Sequence, residues 1–157
     1  MPKPTFRSND LIKIIEENIK LLNQLDTSLK INFSSKSNFI NFECDKEQLS
    51  RVFLNLIKNS IESVQQKYEK NPNFNKKIDI EINENDLHIT FIIIDNGVGF
   101  KNISTNIKDI LNPYFTTKKN GTGLGLSIVN KIVNDHNGKI NFIPIEDGAK
   151  ILIEFVK

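Results

Sequence analysis

The chain has 157 residues, enough for one compact domain with its own hydrophobic core. Its formal net charge of +2, with 38% hydrophobic and 25% charged residues, gives no basis for a nucleic-acid or membrane-binding surface. The single cysteine, Cys44, excludes an internal disulfide and a cysteine-based zinc cluster, and two histidines far apart argue against catalytic zinc, so a reducing, cytoplasmic setting is expected.

Met1 to Arg7 is Pro-rich and reads as an extended lead-in. Ser8 or Asn9 can cap a helix in which Leu11, Ile12, Ile15, Ile19 and Leu22 recur at helical spacing to about Leu25. Residues 29 to 33 and 38 to 43 alternate apolar and polar around a Ser-rich turn, which predicts a β-hairpin. Asp45 with Gln48 resembles a capping box and opens a long helix to about Tyr68, with Leu49, Val52, Phe53, Leu56, Ile57, Ser60 and Val64 on its inner face. Strands follow near 77 to 83 and 87 to 95, the second apolar on both faces toward its end and so expected to be central. The apolar run from Phe91 to Ile94 falls far short of the roughly 20 residues that cross a bilayer.

That strand stops at Asp95-Asn96-Gly97-Val98-Gly99-Phe100, a turn, and a polar stretch of the kind that forms functional lids follows it. Leu124, Ile128 and Ile132 then repeat every four positions, giving a helix that Asn137-Gly138 ends. Residues 139 to 143 and 149 to 156 form a last hairpin around Glu146-Asp147-Gly148. Paired strands with interspersed helices predict an α/β two-layer sandwich, a mixed β-sheet covered on one face by helices.

Three segments carry chemistry. Gly121, Gly123 and Gly125 sit at the mouth of a helix, where unpaired N–H groups and the helix dipole favour an anion and glycine allows close approach. Lys118 and Lys119 add charge there, and Thr116, Thr117 and Thr122 add hydroxyl donors. A purely structural helix cap would use the same glycines. Asp95 at a strand end can accept a hydrogen bond from an exocyclic amine such as that of adenine, with Gly97 and Gly99 turning the chain under a flat ring; a plain strand-ending turn is the alternative. Asn55 and Asn59, one helical turn apart, share a polar stripe with Gln48, Arg51 and Glu62. Asparagine is a poor residue for a helix interior, and an amide oxygen can ligate Mg²⁺; two solvated asparagines would look the same.

In this order the segments resemble the ATP-binding domain of sensor histidine kinases, a branch of the Bergerat-fold ATPases. The resemblance runs from about Phe6 to Val156. Asn55-Leu-Ile-Lys-Asn59 is similar to the N box, Asp95-Asn-Gly-Val-Gly99 to the G1 box, Pro113-Tyr-Phe-Thr-Thr-Lys118 to the F box and Gly121-Thr-Gly-Leu-Gly125 to the G2 box. The resemblance implies that ATP or ADP binds with Mg²⁺ held by Asn59. Asp95 would meet the adenine amine with Gly97 beneath the ring, Gly99 would complete that turn, and Gly121, Gly123 and Gly125 would cradle phosphates. Phe115, Thr116, Thr117 and Lys118 would belong to a mobile ATP lid from Lys101 to Asn120, Thr122 and Leu124 of the G2 box would also line the nucleotide site, and Asn55 and Lys118 are the candidates for a catalytic part. Where gyrase-like members carry a glutamate that activates water, this chain has Asn55, which cannot act as a base, so hydrolysis should be slow.

The γ-phosphate then needs an external nucleophile, which in the family is a histidine on a separate dimerising hairpin. His88 lies in a strand and His136 ends a helix, without the acidic neighbour of the family's phosphoacceptor box. The expectation is therefore residues 1–7 as a lead-in from a missing hairpin and 8–157 as the catalytic domain. Its partners would be that hairpin and a response regulator, and the isolated module would be a monomer. The Pro113-Tyr-Phe-Thr-Thr-Lys118 form is most similar to the nitrogen-regulation subgroup. The rival reading is a stand-alone anti-sigma-factor serine kinase of the same fold, whose members lack this lid and usually keep an acidic base in the N-box helix.

Overall fold

Asp10 decides where the first helix begins. In the computed structural model, which describes residues 2–25, 28–99 and 125–157, its Oδ1 accepts from Ile12 N at 3.1 Å and from Ile40 N at 3.0 Å. Ser8 and Asn9, expected as caps, lie instead in a short strand, β1 (Arg7–Asp10), and the helix α1 runs Leu11–Leu25. Its buried face comprises Leu11, Ile12, Ile14, Ile15, Asn18, Ile19 and Leu22. Asn18 is the polar member, and its Nδ2 donates to Ile14 O at 2.9 Å and to Ser50 Oγ at 3.0 Å, so a buried amide is satisfied while it ties α1 to the next helix.

The hairpin expected from residues 29 to 43 does not form. Strand β2 (Ile31–Ser34) pairs in parallel with β4 (Ile78–Glu84), whereas β3 (Asn41–Cys44) pairs antiparallel with β1 in a separate two-stranded sheet. The cause is local. Leu11 N donates to Ile40 O at 2.9 Å while Asp10 takes the Ile40 N–H, which holds residue 40 at the start of α1. On the other side Lys36 N donates to Asn83 Oδ1 at 2.9 Å and draws the turn toward β4. Alternation identifies strands but not their partners.

Helix α2 (Lys46–Lys70) is capped by Asp45, whose Oδ1 accepts from Gln48 N at 3.0 Å. The reciprocal half of the box is absent, because Gln48 Nε2 donates to Pro2 O at 3.0 Å and Asp45 N donates to His136 Nε2 at 3.1 Å. Its inner row is the expected one, with Leu49, Val52, Phe53, Leu56, Ile57, Ser60 and Val64 all buried. Phe53 packs on Phe91 with ring centroids 4.9 Å apart, which seats α2 on β5 (His88–Asp95).

The sheet order is β2-β4-β5-β7-β6, with β7 (Gly148–Val156) between β5 and β6 (Gly138–Ile145). Only the β2–β4 pair is parallel, so the sheet is mixed, and β5 is central as its sequence predicts. Along β5 the side chains alternate: Ile89, Phe91, Ile93 and Asp95 are buried toward the helices, while His88, Thr90, Ile92 and Ile94 are half-buried on the other face. Helix α3 (Gly125–Asp135) buries Val129, Ile132 and Val133. Asn137 ends it with φ 58°, the left-handed conformation of a helix C-terminus, and β6 starts one residue later. The result is a two-layer α/β sandwich with the helices on one face of the sheet.

Candidate functional site

Asp95 is the last residue of the central strand and, at 5% exposure, the buried carboxylate among the described residues. Burial pushes its carboxyl above the ordinary aspartate range; the Gly97 amide, the Ser60 and Ser63 hydroxyls and the Lys67 ammonium oppose that and favour the ionised form. Gly97 N donates to Asp95 Oδ1 at 2.9 Å, which closes the chain back on the carboxylate as it leaves the sheet. Such a group is a pre-formed acceptor for an N–H donor.

The two glycines of this turn have a packing reason that sequence reading did not supply. A Cβ at Gly97 would lie 2.5 Å from the Ser63 carbonyl carbon and 2.7 Å from its oxygen, so the turn touches the backbone of α2. Gly99 has φ +64°, and a Cβ on it would lie 2.7 Å from the Gly148 carbonyl carbon. Gly148, expected only as a turn residue, is in turn pressed against Asp95 and Asn96, where a Cβ would stand 2.8 Å from Asn96 Cα. Asn96 fastens the other side. Its Oδ1 accepts from Lys77 N at 2.8 Å and its Nδ2 donates to Asn75 O at 2.8 Å.

Helix α2 spans the site from one end to the other. Asn55, Asn59, Ser63 and Lys67 follow at four-residue intervals and so form one row along the helix. The stripe expected from sequence joined the asparagines to Gln48, Arg51 and Glu62 instead. Gln48 is buried on Pro2 and Arg51 is exposed, so that stripe is not one environment. At the far end of the row Lys67 Nζ donates to Asn96 O at 3.2 Å. At the near end Asn55 Oδ1 lies 3.8 Å from the point where a Cβ on Gly125 would stand. The amide of Asn55 thus faces the N-terminus of α3, whose first N–H groups have no partner within the helix. Asn59 is half-buried one turn further on. Ser60, Ser63, Lys67, Asn96 and Gly148 were missed in sequence; the four-residue recurrence after Asn59 was the available signal for Ser63 and Lys67.

The structure therefore sets Gly125 against Asn55 at one end of a row on α2 that continues through Asn59, and Asp95, Gly97 and Gly99 against Ser63 toward the other. Phe115, Thr116, Thr117, Lys118, Gly121, Thr122, Gly123 and Leu124 lie outside the described residues, as does the expected lid. His136 is structural: at 2% exposure its Nδ1 donates to Ile132 O at 2.8 Å, and its ring meets Phe6 edge-on with centroids 5.1 Å apart.

The family model for histidine kinase-, DNA gyrase B- and HSP90-like ATPases matches residues 44–156. A putative NtrY-like sensor histidine kinase of Rickettsia felis is 31% identical over 156 residues, covering 99% of this chain and 25% of that protein. The sensor histidine kinase ZraS of Escherichia coli strain K12 is 30% identical over 143 residues, 88% of this chain and 29% of that protein. The chain spans about a quarter of the length of these relatives. In three dimensions it is similar to the catalytic domain of the histidine kinase ThkA, with TM-score 0.79, 28% identity and coverage of 98% of this chain and 96% of that one. With well over half of its residues matched by the family model, and with the fold of a histidine kinase catalytic domain, the chain belongs to the histidine kinase-, DNA gyrase B- and HSP90-like ATPases.

Proposed function

We propose that the chain is the ATP-binding catalytic module of a two-component sensor histidine kinase. It takes up Mg-ATP and delivers the γ-phosphoryl group to a histidine on a separate dimerisation domain, from which a response regulator receives it. The observation that carries this reading is the buried carboxylate of Asp95 at one end of the α2 row, with the N-terminus of α3 at Gly125 beside Asn55 at the other. An acceptor for an amine, at the end of β5, and a helix mouth for anions, at the start of α3, are linked by one helix, α2, as a nucleotide requires.

Asp95, ionised, accepts from the exocyclic amine of adenine, while the Gly97 turn beneath it brings backbone rather than side chain to the ring. The N-terminus of α3 offers N–H groups and the positive end of its dipole to phosphates. The fit of Mg²⁺ rests on the donor set and on place: amide oxygens suit a hard cation, and Asn55 Oδ1 is the described neighbour within 4 Å of where a Cβ on Gly125 would stand. Asn59, with Asn55 one turn before it, would hold the ion, which when bound neutralises phosphate charge. Asn55 cannot take a proton from water, so the site positions the γ-phosphoryl group without supplying a base.

A structure of ThkA in complex with the response regulator TrrA, at 24% identity and TM-score 0.77, shares this fold and is compatible with a response-regulator partner here. Among the described residues no helix is long and apolar enough to cross a membrane. Calorimetric titration with ADP and a non-hydrolysable ATP analogue, with and without Mg²⁺, tests the reading. Magnesium-strengthened binding that is lost in Asp95→Asn is expected; a folded wild-type chain that binds neither nucleotide would overturn it.

A further inference from the structure

We infer that Ser63 is a positioning residue for Asp95, holding the carboxylate and the turn after it in the geometry that reads the nucleotide base. The inference rests on the proposed role of Asp95 as the acceptor of the adenine amine. Ser63 lies on α2 one turn beyond Asn59, and three of its groups meet the turn. Its hydroxyl lies on the side of Asp95 and favours the ionised carboxylate, and its oxygen accepts from Gly99 N at 3.5 Å. Its carbonyl oxygen accepts from Val98 N at 3.4 Å. Its backbone also fills the space that a side chain at Gly97 would need.

A hydroxyl has one proton to donate and lone pairs to accept, so Ser63 can serve Asp95 and Gly99 at once. Gly97 donates to Asp95 between them, and the result is a closed ring of contacts around the point where the chain leaves β5. Ser60 also reaches Asp95, from the preceding turn of α2, but has no such link to residues 98 and 99. The charged group facing Asp95 from α2 is Lys67, while β4 and β7 set Ile78 and Ala149 opposite it. Ser63 therefore supplies what the neighbouring strands do not, a donor that favours the ionised carboxylate and fixes its direction.

The test is ADP affinity by calorimetry across pH 5 to 8 for the wild-type chain, Ser63→Ala, Ser63→Cys and Asp95→Asn. Loss of one hydrogen bond to a charged group predicts binding about tenfold weaker at pH 7 in Ser63→Ala. Because the hydroxyl favours the ionised form, its removal also moves the acid fall-off of affinity to higher pH. Ser63→Cys, nearly the same size with a weaker donor, is expected between the two and stands in if the alanine variant does not fold. Unchanged affinity and fall-off would overturn the inference. So would a loss of the same factor at every pH with the fall-off in place, which is the signature of a structural role alone. Wild-type affinity in Asp95→Asn would overturn the base-reading role itself, and the inference with it. Loss in Asp95→Asn with no change in either Ser63 variant overturns only the inference.

Discussion

A Cβ at Gly97 would stand 2.5 Å from the Ser63 carbonyl carbon, inside the backbone of α2. A helix backbone cannot yield as a side chain can, so Gly97→Ala must push the β5 turn away from the helix. The expected cost is about 2–3 kcal/mol of stability, together with weaker ADP binding because Asp95 moves with the turn. Thermal unfolding and titration of the same variant check both. Wild-type stability would mean that the turn docks on α2 less closely than the structure shows.

Asp95→Asn separates recognition from folding. The carboxyl of Asp95 is raised by burial above the usual aspartate value, so the folded state holds its proton more tightly than the unfolded chain does. The sign follows: relative to acid conditions, this group costs stability as pH rises through the unfolded value toward the folded one, and that cost is fully present at neutral pH. Asparagine carries no charge and its oxygen can still accept from Gly97. The variant should therefore unfold at pH 7.5 no lower than the wild-type chain while binding ADP at least about a hundredfold more weakly, since its amide NH₂ would oppose the adenine amine. A lower midpoint at pH 7.5 would contradict the first half, and retained affinity the second.

The rows of α1 and α2, the central place of β5 and the last hairpin were legible because periodicity reports burial directly. The partners of β2 and β3 were not, because what separates them is the capture of Ile40 by Asp10 and Leu11, contacts between segments that alternation does not encode. Asn55, Asn59 and Asp95 could be found as residue types in unusual places. Ser63 and Lys67 continue the four-residue recurrence after Asn59, but serine and lysine are ordinary on a helix surface, so that signal gains meaning only when the β5 turn is laid against them. Gly97 was found for one reason and turns out to be required for another, the approach of α2.

Asn59→Ala addresses the ion. If Asn59 holds Mg²⁺ between α2 and the phosphates, the variant keeps its magnesium-free ADP affinity within about twofold and loses most of the gain that Mg²⁺ gives the wild-type chain. Titrations with Mg²⁺ and with a chelator measure that difference. A magnesium gain of wild-type size in Asn59→Ala would place the ion on other donors.

Asp45 joins the N-terminal segment to both ends of the helical layer: it caps α2, accepts from Thr5 N at 2.8 Å and donates its own N–H to His136. The Thr5 amide above all, with those of Gln48 and Glu47, holds its carboxyl below the usual aspartate range against the opposing effect of burial. A lowered folded value contributes stability that is present above the unfolded value, about pH 4, and is lost as pH falls through the folded one. Asp45→Ala should cost about 1–2 kcal/mol at pH 7 and Asp45→Asn less, with both variants showing a shallower loss of stability toward acid. Denaturant unfolding between pH 2 and 7 checks this; an acid dependence as steep as the wild type in both would remove Asp45 from that role.

Gly125 decides between a helix cap and a phosphate cradle. Among the five glycines described it is the one where an added Cβ meets, of the described residues, only ordinary contact, Asn55 Oδ1 at 3.8 Å. Packing against the described residues therefore gives no reason for glycine at the start of α3, and alanine is the better helix former by up to about 1 kcal/mol. If the residue serves only as structure, Gly125→Ala leaves nucleotide affinity unchanged. If phosphates approach the helix mouth, the added methyl group occupies their place beside Asn55. We expect a variant as stable as the wild type or more so that binds ADP at least about fivefold more weakly, with a smaller effect on AMP because it lacks the outer phosphate. Equal losses for AMP and ADP would shift the obstruction toward the base, and no loss for either would leave the glycine without a ligand to explain it.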